Sequence, residues 1–161
     1  MKQGVRVILN DGLIVRAGCQ CWINAIIFRK QWWIVIKKAI ISKDAPQAVG
    51  PYSQAIQIGD LLFASGQIPV DSKTDTIVIG GIEEQTTQVL DNLYAVLRAA
   101  GSSFSDVIKT TIFIKNMDDF QKVNEIYALR FSKPYPARSC LEVSNLPKGA
   151  LIGIELVATI G

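Results

Sequence analysis

The sequence predicts an α+β domain in which a single mixed β-sheet carries two helices on one face. Two segments have apolar residues at helical spacing, and six shorter segments are rich in β-branched and apolar residues. These segments follow one another in the order β-β-β-α-β-α-β-β. Because each helix joins two strands, right-handed crossovers place both helices on the same face of one sheet.

The first three strands are predicted from residue type and from the turns between them. Isoleucine and valine dominate residues 34–41, and a loop with two prolines and a glycine follows over residues 42–53. Residues 55–58 and 61–65 flank Gly59-Asp60, which is the composition of a tight hairpin. A second loop, rich in turn residues, is predicted over residues 69–81.

The two helices alternate with the remaining strands. The first helix is predicted over residues 82–100, with acidic residues in its first turn, where the helix dipole favours them, and Gly101 as its stop. The second is predicted over residues 118–131, with its apolar residues packed inward. The last three strands are predicted over residues 107–115, 137–143 and 150–160.

A sheet with both helices on one face leaves its other face bare. The predicted strands are rich in isoleucine, valine and leucine, and a large exposed apolar face usually marks a contact with another protein. We therefore expect the chain to form a homo-oligomer through this face.

Composition limits the chemistry. The chain of 161 residues, 49% of them hydrophobic, suits one globular domain. It contains no histidine, which excludes a Ser-His-Asp or Cys-His triad and a His-ligated zinc site. Its three cysteines fit neither a metal site nor a secreted disulfide framework, so we expect no bound metal and a cytoplasmic location.

Residues 1–33 differ from residues 34–161, which are predicted to form the domain. All three tryptophans lie in this first segment, and the apolar stretch at 22–36 is interrupted by Arg29 and Lys30. That stretch is too short for a membrane span, which needs about 20 apolar residues. Three interpretations remain open: an ordered extension, a basic-aromatic surface anchor, or residues absent from the native protein, whose translation would then begin near Val35. We favour the last.

The net charge of +3 divides unevenly along the chain. Residues 1–38 carry seven basic side chains and one acidic one, a net +6, while residues 39–161 carry ten and thirteen, a net −3. A nucleic-acid-binding domain is expected to be basic on its folded surface. Nucleic acid is therefore not the expected partner.

A polar set on one strand is a candidate site. Strand alternation places Arg138, Cys140 and Glu142 on one face, and Glu155 is expected on the next strand. Arginine offers a planar fork that matches a carboxylate. The alternative is structural, an ion pair from Arg138 to Glu142 or Glu155 that only holds the sheet together, with Cys140 as a small buried apolar residue.

Two further segments have weaker features of a site. Tyr52 follows Gly50-Pro51 in a loop, and Ser65-Gly66 lies at a predicted strand end, where backbone N–H groups are expected to be free to bind an anion. Gly-Pro-Tyr is also ordinary turn composition. Neither segment identifies a site by itself.

Taken together, these segments resemble the RidA/YjgF family of enamine/imine deaminases. The resemblance covers residues 34–161 in order. The segments that carry it are GPYSQ at 50–54, ASGQIP at 64–69, Phe120-x-x-Val-Asn-x-x-Tyr127, PARSCLEV at 136–143 and LPKGALIGIE at 146–155.

The resemblance implies a chorismate-mutase-like fold assembled as a homotrimer, with clefts at the subunit interfaces. In this interpretation Arg138 holds the carboxylate of the substrate and Cys140 lines the cleft. Catalytic roles fall to Arg138, Glu155, Tyr52 and Cys140, and substrate-binding roles to Arg138, Ser65, Gly66, Asn124 and Cys140.

The activity implied is hydrolysis of the reactive 2-imino acids 2-iminobutanoate and 2-iminopropanoate to 2-keto acids and ammonia, without a cofactor. An imine carbon is already electrophilic, so orientation and general acid–base delivery of water are sufficient. Two alternatives remain: an RNA-cleaving translation inhibitor, and a ligand-binding or chaperone-like protein that uses the same cleft without catalysis.

Overall fold

The computed structural model describes residues 5–8, 14–17 and 36–161. The chain divides into two compact units, Met1–Val35 and Ile36–Gly161. In the first, strands β1 (Val5–Ile8) and β2 (Ile14–Ala17) pair antiparallel. This hairpin was not predicted, because strands of only four residues are too short for an alternation of apolar and polar side chains to be recognised. The predicted boundary after residue 33, the start of the strand at 34–35 and the cysteines and tryptophans of this segment lie outside the described residues.

The second unit contains one six-stranded mixed sheet. Its strands are β3 (Lys37–Ile40), β4 (Ala55–Ile58), β5 (Leu61–Gln67), β8 (Val107–Ile114), β9 (Ala137–Glu142) and β10 (Ile152–Thr159), while β6 (Val70–Asp71) and β7 (Thr76–Ile77) pair separately. The six strands lie in the order β3-β4-β5-β10-β8-β9, and every neighbouring pair is antiparallel except β8 and β9, which are parallel. The predicted single mixed sheet is therefore confirmed.

Two helices cover one face of the sheet, as predicted. Helix α1 spans Ile82–Ala99 and helix α2 spans Phe120–Arg130. At the start of α1 the Glu84 carboxylate accepts the backbone N–H of Gly81 at 2.8 Å. Hydrogen bonds from the backbone of Glu84 itself and of Gly81 lower the pKa of this carboxyl, so the acid is charged at the positive end of the helix dipole.

The core lies between the helices and the sheet. Fully buried side chains include Leu90 and Leu93 of α1, Val123 of α2, and Ile112 and Ile154 of the neighbouring strands β8 and β10. The alternation of each strand sends one set of side chains into this core and the other set to the opposite face. The apolar residues that recur along the helices and those that alternate along the strands therefore pack against each other in one core.

A β-bulge interrupts the pairing of β5 with β10. Ala64 pairs with Leu156 and Gln67 pairs with Ile154, so Ser65 and Gly66 together lie opposite the single residue between them, Glu155. Strand β5 was predicted to end at Ser65 but continues to Gln67. The sequence did not predict this because the glycine, which permits the bulge, is also typical of a loop.

The sheet face opposite the helices carries an apolar patch beside two charged side chains, Lys109 and Glu155. Phe63 is 45% exposed there, and Leu61 of the same strand and Leu141 of β9 are also exposed. Phe63 pairs with Val157 across the sheet, and Phe113 pairs with Leu141. This face of the described sheet therefore leaves apolar side chains in contact with water.

Candidate active site

Arg138 projects from β9 toward helix α2. Its Nη1 donates a hydrogen bond to Oδ1 of Asn124 at 2.7 Å. The guanidinium carbon lies 5.4 Å from the ring centre of Phe120 and 5.0 Å from that of Tyr127, distances at which a cation is attracted by an aromatic face. Three side chains of one helix therefore hold the guanidinium.

The spacing of these residues explains the arrangement. Phe120, Asn124 and Tyr127 recur at positions i, i+4 and i+7, which share one face of a helix. The Tyr127 hydroxyl is within 2.9 Å of the Thr110 hydroxyl, and Thr110 of β8 pairs in register with Arg138. The register of β8 with β9 and the spacing of residues along α2 thus bring Arg138 into contact with this face of the helix.

Tyr127 remains a neutral phenol beside the guanidinium. Burial raises the pKa of its hydroxyl, and the hydrogen bond with Thr110 and the charge of Arg138 offset this only in part. The Tyr127 ring therefore presents its electron-rich face to Arg138, but it carries no negative charge that could form an ion pair with the guanidinium.

Arg138 forms no ion pair with a carboxylate in the part of the chain that the structure describes. Between residues 36 and 161 the ion pairs within 4.0 Å are Lys122–Asp119, Arg130–Asp91 and Lys148–Asp75. Glu142, one of the two predicted partners in the structural alternative, accepts the backbone N–H of Met117 at 2.8 Å instead. The remaining N–H groups of Arg138 are therefore available to a ligand.

A cleft of about 440 Å³ opens beside Arg138. Its lining includes Asn124, Tyr127, Tyr135 and Pro136. This volume accommodates a small carboxylic acid together with water. The cleft thus combines a fixed cation with apolar and aromatic walls.

Cys140 lies two residues after Arg138 on the same face of β9 and is half-buried. Burial raises the pKa of its thiol, and the nearby charge of Arg138 offsets the shift only in part. The thiol is therefore protonated at neutral pH. A protonated thiol is a poor nucleophile, so Cys140 lines the site as a small, weakly polar group.

Glu155 does not lie where the sequence predicted. It is on β10, and β8 separates that strand from β9, so Glu155 and Arg138 are not on adjacent strands. Glu155 pairs with Thr111, and Thr111 pairs with Ser139, the residue next to Arg138. The Glu155 side chain is therefore exposed on the face of the sheet opposite the helices. Strand alternation predicts which residues share a face of one strand, but it does not predict the order of strands in the sheet.

Tyr52 and Gly66 line a second cleft, of about 330 Å³. The Tyr52 hydroxyl accepts the backbone N–H of Val49 at 3.4 Å, and the side chain is half-exposed. Gly50, at φ +133°, packs under the tyrosine ring, where an added Cβ would lie 3.8 Å from it. The loop thus holds the phenol at the cleft with its own proton free to donate.

Ser65 lies next to Gly66 but is engaged by the protein. Its backbone N–H donates to the Gln54 carbonyl at 2.9 Å, and its hydroxyl donates to the Ser53 carbonyl at 2.6 Å. The expectation of a free N–H at this strand end is therefore wrong for Ser65. The hairpin register of β4 and β5 directs this N–H back to the preceding loop.

The predicted site residues form two groups within one chain. Arg138, Asn124 and Cys140 meet at β9, whereas Tyr52, Ser65 and Gly66 meet at β5, with Glu155 across the bulge. Three strand spacings separate β5 from β9, a distance of about 14 Å at the usual spacing of strands. A single chain does not bring the two groups to one small ligand.

Sequence reasoning missed the aromatic and hydroxyl groups that hold Arg138. Phe120 and Tyr127 were predicted to pack inward and belong to a motif of the resemblance, but no contact with Arg138 was predicted for them, and Thr110 was not singled out. The helical spacing of Phe120, Asn124 and Tyr127 was the pattern that could have identified them. Their contact with Arg138 depends on the parallel register of β8 and β9, which the sequence does not reveal.

Neither a metal centre nor a membrane span was found in the described part of the chain. Between residues 36 and 161 no group of three acidic or cysteine side chains is placed to bind a metal ion. Neither α1 nor α2 combines the length and the apolar composition that crossing a bilayer requires.

Comparison with known proteins gives consistent matches over the second unit. Residues 42–160 match the family described as Endoribonuclease L-PSP. A RutC family protein of Pyrococcus horikoshii is 54% identical over 123 residues, which are 76% of this chain and 98% of that protein. The mouse protein named 2-iminobutanoate/2-iminopropanoate deaminase is 42% identical over 127 residues, 79% of this chain and 94% of its own.

A solved structure gives the same result for the fold. The crystal structure of a Yersinia pestis protein of the conserved Rid protein family, described as of unknown function, has a TM-score of 0.76 and 51% identity. The match covers 78% of this chain and 100% of that one. The chain therefore belongs to the RidA/YjgF family that its motifs resemble.

Proposed function

We propose that this protein hydrolyses reactive enamine and imine intermediates, 2-iminobutanoate and 2-iminopropanoate, to 2-keto acids and ammonia. The observation that carries the proposal is Arg138, a guanidinium held by Asn124 and two aromatic rings with no carboxylate partner among residues 36–161. The name of the mouse relative supports the same chemistry.

Arg138 binds the substrate carboxylate. One N–H of its Nη1 donates to Asn124, and the other N–H groups of the planar fork form two parallel hydrogen bonds to the carboxylate. This fixes the imine carbon relative to the protein. Orientation of this kind contributes up to about 7–11 kcal/mol in favourable cases.

Glu155 holds the attacking water and moves its proton. The water oxygen bonds to C2 as the π electrons of the C=N bond move to nitrogen, which takes up a proton. Glu155 then passes the hydroxyl proton of the carbinolamine to its amino nitrogen, the C=O bond forms as the C–N bond breaks, and ammonia leaves with the electron pair of that bond. General acid–base catalysis of this kind contributes about 10²–10⁴-fold.

The site is assembled between copies of the chain in a homotrimer. A 2-imino acid is much shorter than the separation of about 14 Å between β5 and β9, and Glu155 lies on the opposite face of the sheet from Arg138. Tyr52, Gly66 and Glu155 therefore reach the substrate of Arg138 only from a second copy. Tyr52 donates its free O–H there, and Gly66 leaves room at the cleft wall. The exposed apolar sheet face supports the assembly.

RNA cleavage is the second candidate, because the description of the matched family names an endoribonuclease. Residues 39–161 carry ten basic and thirteen acidic side chains and no histidine. A net negative domain is poorly suited to binding a polyanion, and the usual histidine acid–base pair cannot form. As part of the deaminase proposal, we also propose a cytoplasmic location, which the cysteine count led us to expect.

The test is ammonia release from 2-iminobutanoate generated in the assay by threonine dehydratase. We expect wild-type protein to accelerate release above the spontaneous rate and Arg138→Ala to lose most of that acceleration. Binding of the imine without acceleration would favour the non-catalytic alternative. RNA cleavage that is equal in wild type and Arg138→Ala would show that such an activity does not use this cleft.

A further inference from the structure

We propose that Ser65 and Gln54 are positioning residues that hold the Tyr52 loop in place, and that Ser65 acts through this loop rather than by touching the substrate. The Tyr52 loop is residues 42–53, and Ser65 with Gln54 forms its clamp. The inference rests on the proposed function, in which Tyr52 reaches the substrate, but the structure of the clamp can be tested without turnover.

The hydroxyl of Ser65 is committed to the loop. It donates to the Ser53 carbonyl at 2.6 Å, and the backbone N–H of Ser65 donates to the Gln54 carbonyl at 2.9 Å. A serine hydroxyl has one proton to donate. While Ser65 holds Ser53, the residue directly after Tyr52, it has no proton left for a substrate.

Gln54 fixes the first half of the same loop. Its side chain is 3% exposed, so it is shielded from a ligand in the cleft. The side-chain oxygen accepts the Ser42 N–H at 2.7 Å, and the amide nitrogen donates to the carbonyls of Ser42 at 3.1 Å and Pro46 at 2.7 Å. A buried amide with both ends satisfied specifies one backbone path.

The segment between these two anchors is a tight turn that carries the phenol. The Tyr52 N–H donates to the Gly50 carbonyl at 2.9 Å, and the Val49 N–H donates to the Tyr52 hydroxyl. Ser65 also belongs to the bulge opposite Glu155. The clamp therefore sets the position of Tyr52 relative to Glu155.

Loosening the clamp lowers the fraction of molecules in which Tyr52 is in place. Apparent affinity falls in proportion to that fraction, while Arg138 and Glu155 are unchanged. We expect Ser65→Ala to raise KM about 3- to 10-fold, the factor that one hydrogen bond typically contributes, with little change in kcat. Ser65→Thr keeps the O–H donor and is expected to restore KM.

The first experiment is hydrogen–deuterium exchange of the full chain. We expect faster exchange in residues 43–53 of Ser65→Ala, and wild-type exchange there in Ser65→Thr. The matched control is Ser105→Ala, which removes an exposed serine hydroxyl from the turn before β8 and is expected to leave residues 43–53 unchanged. Unchanged exchange in Ser65→Ala would overturn the clamp, whether or not the protein turns over imines.

The second experiment is a double-mutant cycle on KM with Tyr52→Ala. If Ser65 acts through Tyr52, the effect of Ser65→Ala is expected to vanish in the Tyr52→Ala background. A full, additive effect would show that Ser65 contacts the substrate itself. Wild-type protein without turnover would contradict the proposed function and leave the exchange experiment to decide on the clamp.

Discussion

At the scale of single residues, Arg138 distinguishes substrate recognition from bracing of the sheet. An arginine that braces a sheet pairs with a carboxylate, whereas Arg138 donates to the neutral amide of Asn124 and lies over two rings. These contacts fix its direction and leave its charge uncompensated in the described part of the chain. These contacts leave Arg138 open to an anion from outside the chain, as the proposed function requires.

Replacing Arg138 should reduce activity without a matching loss of stability. We expect Arg138→Ala to lower kcat/KM by about 2–5 kcal/mol, the range for removing one partner of a desolvated charge pair. Arg138→Lys should recover only part, because an ammonium cannot form two parallel hydrogen bonds. Turnover and thermal unfolding of both variants are the measurements. A fall in Tm in step with activity would support the bracing role instead.

Cys140 should be dispensable for the chemistry. Because burial raises the pKa of its thiol, the group is protonated at neutral pH, and in the proposed mechanism water is the nucleophile. We expect Cys140→Ser to keep turnover within about tenfold of wild type, or about 1.4 kcal/mol. Complete loss of turnover in a folded Cys140→Ser protein would indicate a covalent thiol mechanism.

The same pKa shift has a pH signature. In a Cys19→Ser, Cys21→Ser background, Cys140 is the remaining thiol, and its alkylation by iodoacetamide should rise only above the pH at which an ordinary thiol ionises. Arg138→Ala removes the charge that favours the thiolate, so the midpoint should move to still higher pH. A midpoint below that of a free thiol would contradict the shift.

At the scale of elements, the sequence predicted periodicity better than pairing. Helix α1 was predicted over 82–100 and spans Ile82–Ala99, because its apolar face repeats through five turns. The placement of β10 between β5 and β8 could not be predicted, since it depends on which strands the last segment pairs with once both helices have crossed the sheet. This order places β8 between the strands of Glu155 and Arg138, and the register places Glu155 on the opposite face of the sheet.

Small hairpins and bulges were missed for a related reason. Strands β6 and β7 contain two residues each, too few for alternation to appear in a segment rich in turn residues. The sequence predicts Gly66 at a strand end, although it forms part of a bulge within β5. Ser65, Gly66 and Glu155 at this bulge were predicted as site residues, but their geometry follows from register and not from residue type.

The bulge predicts a specific role for Glu155. Two residues of β5 lie opposite Glu155, which increases the local twist of the strand, and in the proposed homotrimer the Glu155 carboxylate faces a ligand held by another copy. We expect Glu155→Gln, which keeps the shape and removes the base, to lower kcat about 10²–10⁴-fold with a smaller change in KM. A variant with wild-type kcat at neutral pH would exclude Glu155 as the proton carrier.

At the scale of the whole molecule, the uncovered sheet face is the surface through which the proposed homotrimer assembles. Phe63 is 45% exposed at this face. We expect Phe63→Glu to dissociate the trimer and abolish turnover, because burial of a carboxylate without a partner is unfavourable. Light scattering at micromolar concentration is the measurement. Ile79→Glu, at a loop position that is 99% exposed, is the matched control and should stay trimeric. An active Phe63→Glu monomer would contradict assembly through this face.

The most direct test of a site shared between copies is complementation of two inactive variants. Arg138→Ala and Glu155→Gln chains are refolded together in equal amounts, with each variant refolded alone as the control. If one copy supplies Arg138 and its neighbour supplies Glu155, random assembly of cyclic trimers leaves about one quarter of the sites intact. The mixture should then recover about one quarter of wild-type imine turnover. A mixture no more active than the mean of the two variants would show that both residues act within one subunit.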